Sequence, residues 1–506
     1  MINPFKKYKK IILLFISSFL VFLSYPKSSI SSLAFISLIP YIIVIFEIKN
    51  KKEALNYGFI YGFLTYILIL YWIYPTLQAA NVNIFFSSLA VIMLASILSI
   101  EFIIITFVSY ITKSCSTKLL ILVLPAIWVI VDFTKVTITR YIAYFPWFMI
   151  SYSQWNNLSI LNLGGFFGSY FITFLIVLIN TLLALILLDH TPKEKLKKII
   201  ITTLIIISFV IIGKREYLFI EKSIEKSQEK IRIALIQPSI DFYKKWNIEY
   251  VEEIKARIEN LLKEVLVKKP DLIIWPENAL YGWIDEPEVF EWLCRNIKKT
   301  TTYHIVGSVS KYNRKHVSAY LIDPECKIIA SYNKRILVPF GEYVPLRKIL
   351  GKFISVITTL GEFESGSFKQ EPFRFKNIYI LPTICYETAF DYLLDIDSDK
   401  EISLIINITN DGWYLDTSAP YQHFAIAVVR AVETRTPFAR AANNGISAVI
   451  YPNGKIKSIL NLNDYNYVVE ELPLLNYSKN SFTKNLIVYI SFIIISALFL
   501  AMIFRR

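Results

Sequence analysis

Eight apolar runs of near-spanning length constrain this chain more than any other feature. They lie near residues 11–25, 30–47, 56–75, 83–112, 119–133, 166–188, 198–213 and 485–503, seven ahead of a soluble-looking island and one behind it. About 20 such residues cross a hydrocarbon core, where the backbone must satisfy its own polar groups, so the runs are expected to be helices. Those at 119–133 and 198–213 are short, which leaves the count open by one. Only 19% of the 506 residues are charged, against roughly 25% in average globular chains, and this deficit fits a membrane protein.

Loop charges orient the runs, because lysine and arginine concentrate in short cytoplasmic loops. Lys6, Lys7, Lys9 and Lys10 precede the first run, and Lys49, Lys51 and Lys52 follow the second. Lys113 and Lys118 follow the fourth, Lys193, Lys195, Lys197 and Lys198 follow the sixth, and Arg505 and Arg506 end the chain. With eight spans all of these fall on one side. Both termini are therefore predicted cytoplasmic and the island extracytoplasmic. Lys135, Arg140, Lys214 and Arg215 run against the pattern. Glu101 lies inside the fourth run, where an ionisable group is expensive, and it is expected to pair within the bundle. The lysine-rich start resembles a signal peptide, but no small-x-small site precedes Tyr25-Pro26-Lys27. It is read as an uncleaved first span.

A net charge of +14 would suit nucleic-acid binding if it lay on the island. It does not. Residues 231–475 hold 29 Lys and Arg against 30 Asp and Glu, so the basic excess belongs to the membrane part. There it orients spans and meets anionic head groups, and nucleic-acid binding is excluded.

The predicted organisation is a membrane domain over 1–213, a linker or stalk over 214–230, a catalytic island over 231–475 and a closing span over 485–503. Strands are predicted at 231–238, 272–275, 303–307, 319–322, 378–381, 402–406 and 448–451, with helices at 248–267, 287–299 and 419–435. This alternation indicates one α/β domain.

Three island residues have the chemistry to make and break a thioester. Glu277 follows the buried-type strand Leu272-Ile273-Ile274-Trp275, where a strand end fixes a side chain and a loop exposes it. An apolar wall there suits a general base. Lys334, ahead of Val338-Pro339-Phe340-Gly341-Glu342, would stabilise an oxyanion, although Arg335 next to it is an equal candidate by sequence. Cys385 follows an apolar strand and precedes Tyr386-Glu387. Singly, each has a plainer reading: a surface or capping acid, a surface lysine, a small buried hydrophobe. His304, His316 and His423 show no triad context.

Taken in order, Trp-Pro-Glu, Lys with Val-Pro-Phe-Gly-Glu, then Cys-Tyr-Glu resembles the nitrilase superfamily, and the membrane-flanked form resembles the apolipoprotein N-acyltransferase family. Further matches are Asn407-Ile408-Thr409-Asn410-Asp411-Gly412-Trp413, Gln422-His423, Arg440-Ala441-Ala442-Asn443-Asn444-Gly445, Phe145-Pro146-Trp147 and Tyr152-Ser153-Gln154. The resemblance implies a polytopic helical membrane bundle joined to an αββα sandwich. It implies Glu277 as general base, Lys334 as oxyanion stabiliser and Cys385 as nucleophile, supported by Glu342, Tyr386 and Glu387. Trp246, beside Lys245, and Trp413 match positions on loops bordering a lipid entrance. Gly412 and Tyr414-Leu415 depart from the family's usual Ala and Phe-Gly, which bears on substrate preference.

The implied reaction is ping-pong transfer of an acyl chain from a membrane phospholipid to the α-amine of a diacylglyceryl-cysteine lipoprotein. It would run in a bacterial cell membrane, with neither metal nor cofactor expected and a monomer as the expected state. The competing reading is a membrane-anchored amidase that uses water. Residues 141–163 are expected to form an interfacial aromatic element. Phe340, Tyr343, Val344, Leu346, Ile349, Leu350, Phe353 and Ile354 are expected to form an apolar arm. Three island cysteines in an oxidising compartment leave at least one free, and a Cys294–Cys326 bridge stays open.

Overall fold

The computed structural model describes residues 4–241, 244–311, 314–343, 363–394, 400–475 and 481–504. The chain divides into two compact units, Met1–Phe219 with Asn480–Arg506, and Ile220–Lys479.

The first unit is helical. Among the described residues five helices are long and apolar enough to cross a membrane: Ile84–Cys115, Thr117–Arg140, Ser169–Leu188, Pro192–Lys226 and Thr483–Ile503. The pair Lys51–Ile69 and Ile73–Ala79, bent by 49°, makes a sixth if it counts as one span. The expectation of eight is thus met only in its coarser form. The run at 30–47 is broken into three short pieces, Ser31–Leu33, Ala34–Ser37 and Ile39–Glu47. The run at 198–213 and residues 214–226 of the stretch expected to be a separate linker are one continuous helix, Pro192–Lys226, about 52 Å long at 1.5 Å per residue.

The buried ion cluster of this unit explains one exception to the loop-charge pattern. Lys135 is not in a loop. It sits inside the helix Leu120–Thr137, bound to Glu101 at 3.1 Å and Asp132 at 2.7 Å. Tyr66 and Tyr144 each donate to Glu101 at 2.6 Å. Glu101 therefore does pair within the bundle. The expected interfacial element is largely interior. Trp147, Phe148, Met149 and Ile150 are buried, and Tyr25 donates to the Trp147 carbonyl at 3.1 Å. A carbonyl in an irregular segment needs such a donor when water is excluded.

The second unit is built from two six-stranded sheets. One runs β12-β1-β2-β3-β4-β5, where β1 is Lys230–Gln237, β2 Leu272–Ile274, β3 Tyr303–Ser310, β4 His316–Ile322, β5 Ile328–Asn333 and β12 Asn466–Pro473. The other runs β11-β10-β9-β8-β7-β6, where β6 is Phe373–Phe375, β7 Ile378–Ile384, β8 Ile402–Thr409, β9 Phe438–Ala442, β10 Ser447–Ile450 and β11 Ile456–Leu460. The sheets face each other through β1 against β9 and β10, and β4 against β7.

Helices cover the outer faces. Ile254, Ile258, Leu261, Leu262 and Val265 recur at helical spacing on Val251–Leu266, and with Trp292, Leu293 and Ile297 of Pro287–Thr300 they pack on Ala234, Ile236, Ile273 and Val306 of the first sheet. Helix Ala419–Thr434 lies against β9. This αββα order places the ends of β2, β7 and β8 where their following loops carry the site.

Cys294 and Cys326 form a disulfide, which answers the pairing question and leaves Cys385 a free thiol. Most of the expected apolar arm, from Val344 to Ile354, lies outside the described residues.

Candidate active site

Glu277 leaves β2 into a turn and is almost fully buried, 3% exposed. Its Oε1 accepts from Lys334 Nζ at 3.1 Å, and its Oε2 accepts from the Asn410 amide at 2.9 Å. Gly307 of β3 lets the backbone approach this closely, since a Cβ there would lie 2.7 Å from the Glu277 Cα and 2.2 Å from the Pro276 carbonyl oxygen.

Lys334 comes directly after β5, its amide bonded to the Val317 carbonyl at 2.8 Å. Its ammonium also binds Glu342 Oε1 at 2.5 Å, and Glu342 Oε2 accepts from the Val338 amide at 2.8 Å. Burial by itself would pull the Lys334 pKa down. The charges of Glu277 and Glu342 outweigh it, so the group is held well above the ordinary lysine value. The geometry also separates the two basic neighbours. Arg335 turns away, donating to the Tyr332 hydroxyl at 2.7 Å and the Leu393 carbonyl at 3.1 Å.

Cys385 begins the turn after β7 with φ +51°, a left-handed conformation uncommon for a residue with a side chain. Its carbonyl accepts from His423 Nε2 at 3.0 Å and Asn407 Nδ2 at 3.3 Å. Burial raises the thiol's pKa, Glu277 raises it further and Lys334 opposes. On balance the thiol is favoured over the thiolate.

Glu387 joins the two loops rather than facing the thiol. Its Oε1 accepts from the amides of Arg335 at 2.5 Å and Ile336 at 3.3 Å, and its Oε2 accepts from the Ile384 amide and the Tyr332 hydroxyl, both at 2.8 Å. One carboxylate thus clamps the Lys334 segment to the Cys385 turn. Tyr386 is buried with its ring edge-on to Phe390 at 4.8 Å.

Glu277, Lys334, Glu342, Cys385 and Glu387 are brought together by these contacts. Trp246 and Trp413 sit on flanking loops. Trp246 lies 6.2 Å from Trp283, which lies 6.3 Å from Phe363. Trp413 is on the turn Asp411–Tyr414. At the end of that turn Leu415 has φ +53° and ψ −163°, a region otherwise almost confined to glycine.

Sequence reasoning missed the support beneath Cys385. His423, from helix Ala419–Thr434, is fully buried, and its Nδ1 lies 2.9 Å from Asp411 Oδ1. Arg440 of β9 binds Asp411 Oδ2 at 2.7 Å and also reaches Asn407. Burial would raise the Asp411 carboxyl, but Arg440 and His423 hold it down at about 2. The quoted segments around Asn407, His423 and Arg440 were the available signal, but they said nothing of how those side chains meet. His304 has no place in the site: it accepts from Trp275 Nε1 at 2.9 Å, and burial lowers its pKa to about 3. Among the described residues no cluster of His, Cys, Asp and Glu is able to hold a metal ion.

The fold and site define a carbon–nitrogen hydrolase domain, in a chain whose other unit is helical and apolar. Residues 232–475 match the carbon–nitrogen hydrolase family, and residues 17–182 match the apolipoprotein N-acyltransferase N-terminal domain. Apolipoprotein N-acyltransferase of Geobacter metallireducens is 30% identical over 460 residues, covering 88% of this chain and 85% of that protein. The one from Rickettsia typhi is 30% identical over 445 residues, covering 84% of each. Among solved structures, the C. elegans NitFhit protein aligns with a TM-score of 0.39 at 17% identity, over 49% of this chain and 61% of that one. A Nesterenkonia amidase aligns with a TM-score of 0.37 at 19% identity, over 48% and 90%. The chain belongs to the apolipoprotein N-acyltransferase family.

Proposed function

We propose that this enzyme transfers an acyl chain from a membrane phospholipid to the N-terminal amine of a diacylglyceryl lipoprotein through a thioester on Cys385. One observation carries this reading. A buried thiol, a buried carboxylate and a buried ammonium converge in a chain that N-acyltransferases match over most of its length.

Glu277 takes the thiol proton, and the sulfur attacks the ester carbonyl. Lys334 and a backbone amide stabilise the oxyanion. Glu277 then protonates the departing lysophospholipid. In the second half the acceptor amine attacks the thioester, Glu277 takes its proton, and Cys385 is released. Glu342 holds Lys334 in place, Tyr386 and Glu387 support the turn, and Trp246 and Trp413 border the lipid path. The extracytoplasmic placement of this unit and the cytoplasmic termini rest on the loop charges, together with a disulfide that suits an oxidising compartment. Eight spans remain part of this reading. The amidase reading is disfavoured by the named relatives.

The test incubates wild-type and Cys385→Ala protein with phospholipid and a diacylated lipopeptide, following acyl transfer by mass. Wild type should carry an acyl thioester that the lipopeptide discharges, and the variant should lose more than about a thousandfold in rate. Full transfer by Cys385→Ala would reject the mechanism. Discharge by water alone would favour the amidase.

A further inference from the structure

Lys245 is a buried lysine for which the mechanism above has no use. It lies in the loop after β1, 2% exposed, and its Nζ has no hydrogen-bond partner among the described residues. The ammonium position is 5.0 Å from the Trp246 ring centre. A charge in such a place, shielded from water and unpaired, is unfavourable unless it is neutral or meets a ligand.

The loop is fastened to the site. The amides of Ser239 and Ile240 bond to the carbonyl and side-chain oxygens of Asn443, at 3.1 and 3.0 Å. The Asn443 amide bonds to the carbonyl of Thr409, the residue before Asn410, which holds Glu277. Of the charged groups around Lys245, Glu277 acts on it electrostatically. Lys334 and Glu342 are engaged with Glu277 and each other, Asp241 accepts the Lys245 amide through its main-chain carbonyl, and Lys244 stacks on Tyr250. Burial lowers the Lys245 pKa to about 7, against the opposing charge of Glu277.

The acceptor poses a proton problem that Glu277 cannot solve alone. An N-terminal amine has a pKa of about 7.7 and arrives mostly as an ammonium. Forming an amide requires it to lose two protons, one before attack and one during collapse. Glu277 passes the second to the departing Cys385 sulfur. We propose that Lys245 is the base that takes the first proton, so that a neutral amine reaches the thioester. The N–H bond of the acceptor ammonium breaks, the proton rests on Lys245 Nζ, and it leaves to solvent after the product departs. No other reactant is needed.

This inference rests on the acyl-transfer reading, and the experiment separates the two. Wild type, Lys245→Arg and Lys245→Met are each loaded with phospholipid, and discharge by a diacylated lipopeptide is followed from pH 6.5 to 9. Arginine keeps the charge but is no base at these pH values. Both variants should load at wild-type rate, which also reports an intact site. Their discharge should fall about sixfold from pH 9 to pH 7, following the neutral fraction of the acceptor amine, whereas wild type should fall about twofold. Discharge of Lys245→Arg with the wild-type pH dependence would overturn the proposal, as would slowed loading with normal discharge. Failure of wild type to load would overturn the acyl-transfer reading itself.

Discussion

Cys385 holds its thiol on a left-handed residue whose carbonyl is gripped from beneath by His423 and Asn407. A thiol in this conformation stays aimed only while those bonds persist, because αL costs a non-glycine residue on the order of 1–3 kcal/mol. His423 is therefore a positioning residue, donating from Nε2 while Arg440, itself bound to Asp411, donates to Nδ1 of the neutral ring at 3.0 Å. Burial lowers its pKa, with the Arg440 charge adding to the effect. With the folded pKa below the unfolded one, stability is intact above the unfolded histidine pKa and is lost as pH falls from there through the lower folded value. His423→Phe should slow thioester formation about tenfold to a hundredfold, as small misplacements of reacting groups do. His423→Gln, which keeps a donor near the Nε2 position, should recover part of the loss, and single-turnover loading with phospholipid measures both. Equal rates for the two variants would show that the bond to Cys385 does not matter.

At the scale of elements, the site is an agreement between strand ends. The neighbouring strand β3 must leave room for the backbone around Glu277, and Gly307 provides it. Gly307→Ala would push a methyl into the Pro276 carbonyl and the Glu277 Cα, so it should abolish thioester formation and destabilise the unit by about 1–3 kcal/mol, seen as a lower thermal midpoint. The turn after β8 offers the opposite case. Leu415 sits where glycine is at ease, so Leu415→Gly should stabilise or leave stability unchanged, with relief of up to about 1–3 kcal/mol offset by glycine's entropy cost of about 1. Thermal unfolding decides this, and a clear loss of stability would mean the leucine side chain earns its position through packing.

Across the whole molecule, the disulfide bears on stability without touching the chemistry. It closes a separation of 32 residues between helix Pro287–Thr300 and the turn after β4, worth about 3.7 kcal/mol in the chain-entropy account. Cys294→Ser with Cys326→Ser should lower the unfolding midpoint while leaving thioester formation on Cys385 intact at 25 °C. Loss of loading in the folded double variant would contradict this separation of roles.

Much of this protein was legible before folding. Apolar runs announce membrane helices because lipid tolerates no unpaired backbone, and buried strands ending in Glu277 and Cys385 announce a site because strand ends hold side chains still. Strand β9 was not legible. Phe438–Ala442 is mostly alanine around one buried arginine, a pattern with no strand period that only the neighbours β8 and β10 stabilise. The choice of Lys334 over Arg335 was equally out of reach, since adjacent residues differ only in which way their side chains leave the backbone, and Glu277 and Glu342 decide that from distant segments. By itself the sequence determined the chemical groups, their order and the apolar frame, all of which are properties of residue type and spacing. Tertiary structure alone decided the clamp of Glu387, the His423 support and the burial of Lys245, because each depends on contacts between residues far apart in the chain.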